Sequence, residues 1–162
     1  TKAMRFIKNE GEHSMDRFCY WVFKSEPGTW SWEQQCDRGD EGEGWDGVRN
    51  HQASNNMKAM HVGDLGFFYH SVNEKRIVGV VDVIETYHPD PTDETGKWGM
   101  VRLRALKTVP EPVSLADIKA NPALDGLALI KQSRLSVVPV ADHHWQEICR
   151  MAKLNPVPKI DR

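Results

Sequence analysis

Three successive runs, LGFFYHS (65–71), RIVGVVDVIETY (76–87) and WGMVRLRALKTV (98–109), constrain the fold of this chain more than any other feature. They are rich in β-branched and aromatic residues, and side chains alternate between two faces. In the first, Leu65, Phe67 and Tyr69 oppose Gly66, Phe68 and His70; in the third, Val101, Leu103 and Ala105 oppose Arg102 and Arg104. Residues 73–75 make a hairpin loop between the first two runs, so the three together predict an antiparallel meander. Gly79 inside the middle run marks a bulge or a close backbone approach.

The rest of the chain supplies shorter elements. YWVFK (20–24) reads as a first strand that Pro27 and Gly28 bring to an end. Ser31 opens a Ser-x-x-Gln capping box and a helix to about Asp37, followed by an acidic, glycine-rich loop. Asn50 caps a second helix whose Ala53, Met57 and Met60 form one apolar stripe. After EPV, Ser114 caps a third helix, LALI is an apolar turn, and RLSVVPV (134–140) is a last strand that Pro139 keeps at an edge or terminus. Asp142 is expected to cap a final helix, with Trp145, Ile148, Cys149 and Ala152 on one face. Five or so hairpin-connected strands interleaved with four short helices imply an α+β fold. Its antiparallel sheet curls toward a small barrel, without the regular alternation or phosphate loop of a nucleotide-binding parallel sheet.

With 162 residues, 40% of them apolar, the chain suits one compact domain. A formal charge of −2 argues against a protein that grips nucleic acid through many unspecific phosphate contacts, so any such role is local. Cys19, Cys36 and Cys149 are widely spaced and odd in number, which points to neither a disulfide framework nor a zinc site and fits a reducing cytoplasmic setting. No membrane span or signal peptide is visible, and a monomer is expected. Residues 1–18 read as an extension, with Met15 a conceivable start, residues 19–155 as the domain, and 156–162 as a tail.

Two polar clusters stand out against this apolar scaffold. Lys24, Ser25 and Glu26 end the first strand; they are either a solvated turn or, beside Trp30 and Trp32, the start of a slot for a flat ligand. One of those two tryptophans is expected in the core. Residues 49–56 are either a polar helix face or a set of hydrogen-bonding groups, with Arg49 a fork and the Asn and Gln side chains paired donors and acceptors. His70, between Tyr69 and Ser71, could serve as a general base, although a histidine on a strand is more often simply hydrogen-bonded. No G-x-S-x-G elbow surrounds Ser25 or Ser71, and the adjacent His143 and His144 diverge by about 100° on a helix. No catalytic residue, metal or cofactor is assigned.

KSEP (24–27), WDGVRNHQASNNMKAMHVGD (45–64), FFYHS (67–71) and RLSVVPV (134–140) occur in the order of the EVE domain family, of the PUA-like superfamily, which this chain closely resembles from Tyr20 to about Met151. The resemblance implies a pseudo-barrel of five or six antiparallel strands with short helices around it, and a pocket for a modified nucleobase. The residues matching the family motifs, and so implied to line that pocket, are Lys24, Ser25, Glu26, Trp30, Trp32, Val48, Arg49, Asn50, Tyr69, His70, Ser71, Arg134, Leu135 and Ser136. Arg134 enters this set only through the resemblance. The implied function is non-catalytic reading of a methylated or hydroxymethylated base in DNA or RNA, in the bacterial cytoplasm or a eukaryotic nucleus. The alternative is a small hydrolase or RNA-processing enzyme using His70 with Glu26.

Overall fold

The computed structural model describes residues 17–160, so most of the extension expected at 1–18 lies outside the described residues. The meander forms as the alternation requires. Strands β3 (Leu65–His70), β4 (Arg76–Pro89) and β5 (Gly99–Ser114) pair antiparallel, with Phe67 opposite Val80 and Val83 opposite Leu103. Strand β5 continues through Pro110 and Pro112, beyond the end of the third run at Val109. The prolines fit because the β4–β5 register jumps from Ile77 opposite Val113 to Gly79 opposite Thr108, a bulge that asks no ladder donor of them.

β1 (Tyr20–Ser25), β2 (Glu43–Gly44) and β6 (Val137–Val140) complete a six-stranded sheet of order β2-β5-β4-β3-β1-β6. One pairing departs from the antiparallel pattern: β1 lies parallel to β3, with Tyr20 opposite Leu65 and Ser25 opposite His70. The physical reason is the connection, residues 26–64, which carries two helices and β2 and is long enough for the crossover a parallel pair needs. β6 occupies an edge, where Pro139 is tolerated. The sheet is strongly curled. β2 and β1 stand four places apart in the strand order, yet Trp45, just after β2, meets Phe23 of β1 edge-on at 5.6 Å and Phe68 of β3 at 5.7 Å.

The short helices close over this curl. α1 (Trp32–Asp37) begins at the Ser31 capping box, with Gln34 returning its side chain to the Ser31 amide. α2 (His51–Lys58) is capped by Asn50, whose Oδ1 accepts from the Ala53 amide, and its Ala53 and Met57 are fully buried. α3 (Leu115–Ala120) is capped by Ser114, and the LALI run forms a helical turn, α4 (Ala128–Lys131). In α5 (Asp142–Met151) the cap falls on Ala141 rather than Asp142, because the Ala141 carbonyl accepts the first helical bond from Trp145. Asp142 is instead the acid of the first turn. Trp145, Ile148, Cys149 and Ala152 are fully buried, and Trp145 stacks on Phe67 at 3.9 Å and Tyr20 at 4.5 Å.

Gly79 serves both expected purposes. The register shifts beside it, and a Cβ there would lie 2.3 Å from the Trp32 ring. At the chain ends, Arg17 pairs with buried Asp64 at 2.6 Å. From the segment expected as a tail, Pro158 accepts the Trp145 indole N–H at 2.8 Å and the Ile160 amide donates to the Tyr20 hydroxyl at 3.1 Å. No described helix is long and apolar enough to cross a membrane.

Candidate functional site

Where β1 ends, the chain turns tightly. The amides of Thr29 and Trp30 both donate to the Glu26 carbonyl, and the buried Ser25 hydroxyl donates to the Trp30 carbonyl. That turn sets Trp30 half-buried over the sheet's open end. Its indole N–H donates to Gln35 Oε1 at 2.9 Å, and Gln35, itself fully buried, donates to the Leu103 carbonyl at 3.0 Å. The ring is therefore fixed to β5 through one amide side chain.

The facing wall is the strand after the glycine-rich loop. The Trp45 amide donates to the Val101 carbonyl at 2.7 Å, and Gly47 turns with φ of 80°, a left-handed value that a side chain would strain. Asp90, buried at the end of β4, gathers this loop: it accepts from the Gly47 amide at 2.8 Å, the Arg49 guanidinium at 3.0 Å, and the Thr92 amide and hydroxyl. Burial alone would raise the Asp90 carboxyl, but these donors hold it well below the usual carboxylate range. Arg49 is thus partly committed to the scaffold.

Between the walls lies a cavity of about 480 Å³, lined by residues 24–26, Thr29, Trp30, residues 43–49 and Ser136. Trp30 and Trp45 are its aromatic lining residues. The polar edge mixes signs: Lys24 and Arg49 with Glu26, Glu43 and Asp46. Burial lowers the Lys24 ammonium, which donates to the Ser133 carbonyl at 2.9 Å. Burial, and then the neighbouring Asp90 carboxylate, raises the Asp46 carboxyl. The arrangement can hold a flat, hydrogen-bonding ligand; among the described residues no three acidic, histidine or cysteine side chains are placed to hold a metal.

Of the fourteen residues assigned from sequence, the cavity gathers Lys24, Ser25, Glu26, Trp30, Val48, Arg49 and Ser136. Asn50, Arg134 and Leu135 line a second, adjoining cavity. Four line neither. Trp32 is the core tryptophan of the pair, packed on Gly79 and donating to the Thr108 hydroxyl at 2.9 Å. Tyr69 and His70 are buried because β3 lies inside the sheet between β1 and β4. Ser71 follows them with its amide on the Ser25 carbonyl at 2.9 Å. His70 does not pair with Glu26: its Nε2 accepts from the Trp32 amide at 3.0 Å and its Nδ1 meets Glu74 at 2.9 Å.

Sequence reasoning missed Trp45, Asp46 and Asp90. The first two stand in the WDGVRN motif and were legible there; Asp90 had no local signal, because its role arises from a contact 43 residues away.

A curled six-stranded sheet with short helices closed over it and a cavity at its open end defines an α+β fold. The sequence pattern of the EVE domain matches residues 19–151. The chain belongs to the EVE domain family. Thymocyte nuclear protein 1 of Gallus gallus is 28% identical over 178 residues, covering 90% of this chain and 74% of its own length. A crystal structure of an Agrobacterium tumefaciens protein superposes with a TM-score of 0.85 at 50% identity, covering 88% of this chain and 99% of that one. The human THYN1 protein in complex with 5-methylcytosine-containing DNA superposes with a TM-score of 0.77 at 27% identity, covering 85% and 99%.

Proposed function

We propose that this protein reads a modified cytosine in DNA, taking the unpaired base between Trp30 and Trp45 and releasing it unchanged. The observation that carries the reading is the cavity itself: about 480 Å³, lined by two tryptophans and a polar edge, a size and composition suited to one small planar ligand. The complex of the human relative with 5-methylcytosine-containing DNA supports the choice of base and polymer. Chemistry supports it too. Carboxylates such as Glu26 and Asp46 accept from an exocyclic amino group, which cytosine has and thymine lacks, while stacking holds the extruded base in place for its edge to be read. Extruding the base from a duplex costs a few kcal/mol, which the stacking must offset.

The test is fluorescence anisotropy with labelled duplexes carrying one cytosine, 5-methylcytosine or 5-hydroxymethylcytosine, beside matched RNA, with mass spectrometry of the recovered oligonucleotide. A modified duplex should bind tightest and return intact. Trp30→Ala should weaken binding by about 1–3 kcal/mol, roughly 5- to 150-fold. Equal affinity for all duplexes, or a chemically altered product, would sink the proposal.

A further inference from the structure

The second cavity, about 330 Å³, is lined by Asn50, Gln52, Gln132, Ser133, Arg134 and Leu135, and it meets the first along the consecutive pairs Arg49–Asn50 and Leu135–Ser136. Its lining contains no carboxylate, whereas Glu26, Glu43 and Asp46 line the first. Arg134 is the unusual member. Every other arginine of residues 17–160 has a carboxylate within 3.7 Å, but Arg134, exposed, has no hydrogen bond or ion pair among the described residues.

Its backbone, by contrast, is fixed. The Leu135 amide donates to the Gln132 carbonyl at 3.1 Å, the Gln132 amide to the Ala128 carbonyl at 2.8 Å, and the Lys24 amide to the Ser136 carbonyl at 3.0 Å. Lys24 Nζ, on the wall of the first cavity, holds the Ser133 carbonyl of the same turn at 2.9 Å. A rigid turn therefore presents a free guanidinium amid neutral donors. Asn50 uses only Oδ1 for its helix cap, and its amide nitrogen has no partner among the described residues.

We propose that this second cavity binds the phosphodiester backbone of the nucleotide flanking the extruded base, with Arg134 as its charged donor. The inference rests on the reading above and adds a division of labour. The first cavity chooses the base; the second grips the strand whatever its sequence, since phosphate contacts position and base contacts specify. One strong contact of this kind reconciles nucleic-acid binding with a formal charge of −2.

The experiment measures dissociation constants for methylated and unmodified duplexes across a sodium chloride series, for the wild type, Arg134→Gln and Trp30→Ala. Arg134→Gln should weaken both duplexes by the same factor, about tenfold at low salt, and make the log–log salt slope shallower by about one. Trp30→Ala should cut the preference for methylated DNA and leave the slope in place. If the wild type lacks a methyl preference but Arg134→Gln still lowers affinity and slope, the backbone site stands and the base reading falls. Should the preference persist while Arg134→Gln changes neither quantity, the backbone site is wrong. Selective loss of the methyl preference in Arg134→Gln, or a wild type that binds no DNA, overturns it as well.

Discussion

His70 commits both ring nitrogens inside the fold. The backbone N–H of Trp32 donates to Nε2, so the ring proton sits on Nδ1 and is donated to Glu74. That hydrogen bond, helped by Arg76, holds the Glu74 carboxyl below its ordinary value. With neither nitrogen free, the residue steadies the start of α1, two positions after the cavity's Trp30. His70→Ala should therefore cost about 1–3 kcal/mol in urea denaturation, as a buried amide loses its acceptor, and should change DNA affinity far less. A variant of wild-type stability that loses binding would put His70 in the site after all. At this scale the sequence was only half legible. The motif residues Lys24, Ser25, Glu26 and Arg49 carry their polarity where the cavity needs it. Tyr69, His70 and Ser71 look equally functional as letters, yet the first two end a strand that pairs on both sides and the third follows it, which no local pattern reveals.

At the scale of elements, caps and alternation were legible because they are local. Ser31, Asn50 and Ser114 each accept the amide three residues on, as their spacing implied. Two things were hidden. The parallel β1–β3 pair depends on where a 39-residue connection, residues 26–64, delivers the chain, and the bulges depend on what packs opposite. Gly79 illustrates the second: the Trp32 ring fills the space a side chain would take, and the ladder shifts register there. Gly79→Ala should destabilise by about 1–3 kcal/mol, since ring and backbone must both move in a packed core. Thermal denaturation checks it. A gain in stability would show that the ring can yield, and that the glycine is not required by close approach.

For the whole molecule, the closure of the curl depends on carboxylates that tie distant segments together. Asp90 binds the end of β4 to the loop at 46–49, and Glu147 of α5 accepts from Asn121 beyond α3 at 2.6 Å and from Arg150. Those donors hold the Glu147 carboxyl at about 2, against an ordinary 4.5, and hold Asp90 below the usual range too. A depressed carboxyl stabilises the fold above its unfolded value, and the benefit is lost as pH falls through the folded one, because the unfolded chain then binds more protons. His144 adds to this from higher pH: burial, then His143, lowers it, so stability begins to fall below about 6.5. Asp46, raised, works in the opposite direction but is exposed and should offset little. The urea midpoint should thus decline gently below pH 6.5 and steeply between about 4.5 and 2. Glu147→Gln should lower the midpoint at neutral pH yet flatten the steep segment, since the group that titrates is gone. Parallel acid profiles for variant and wild type would mean that Glu147 does not hold α5 to the rest of the fold through its charge.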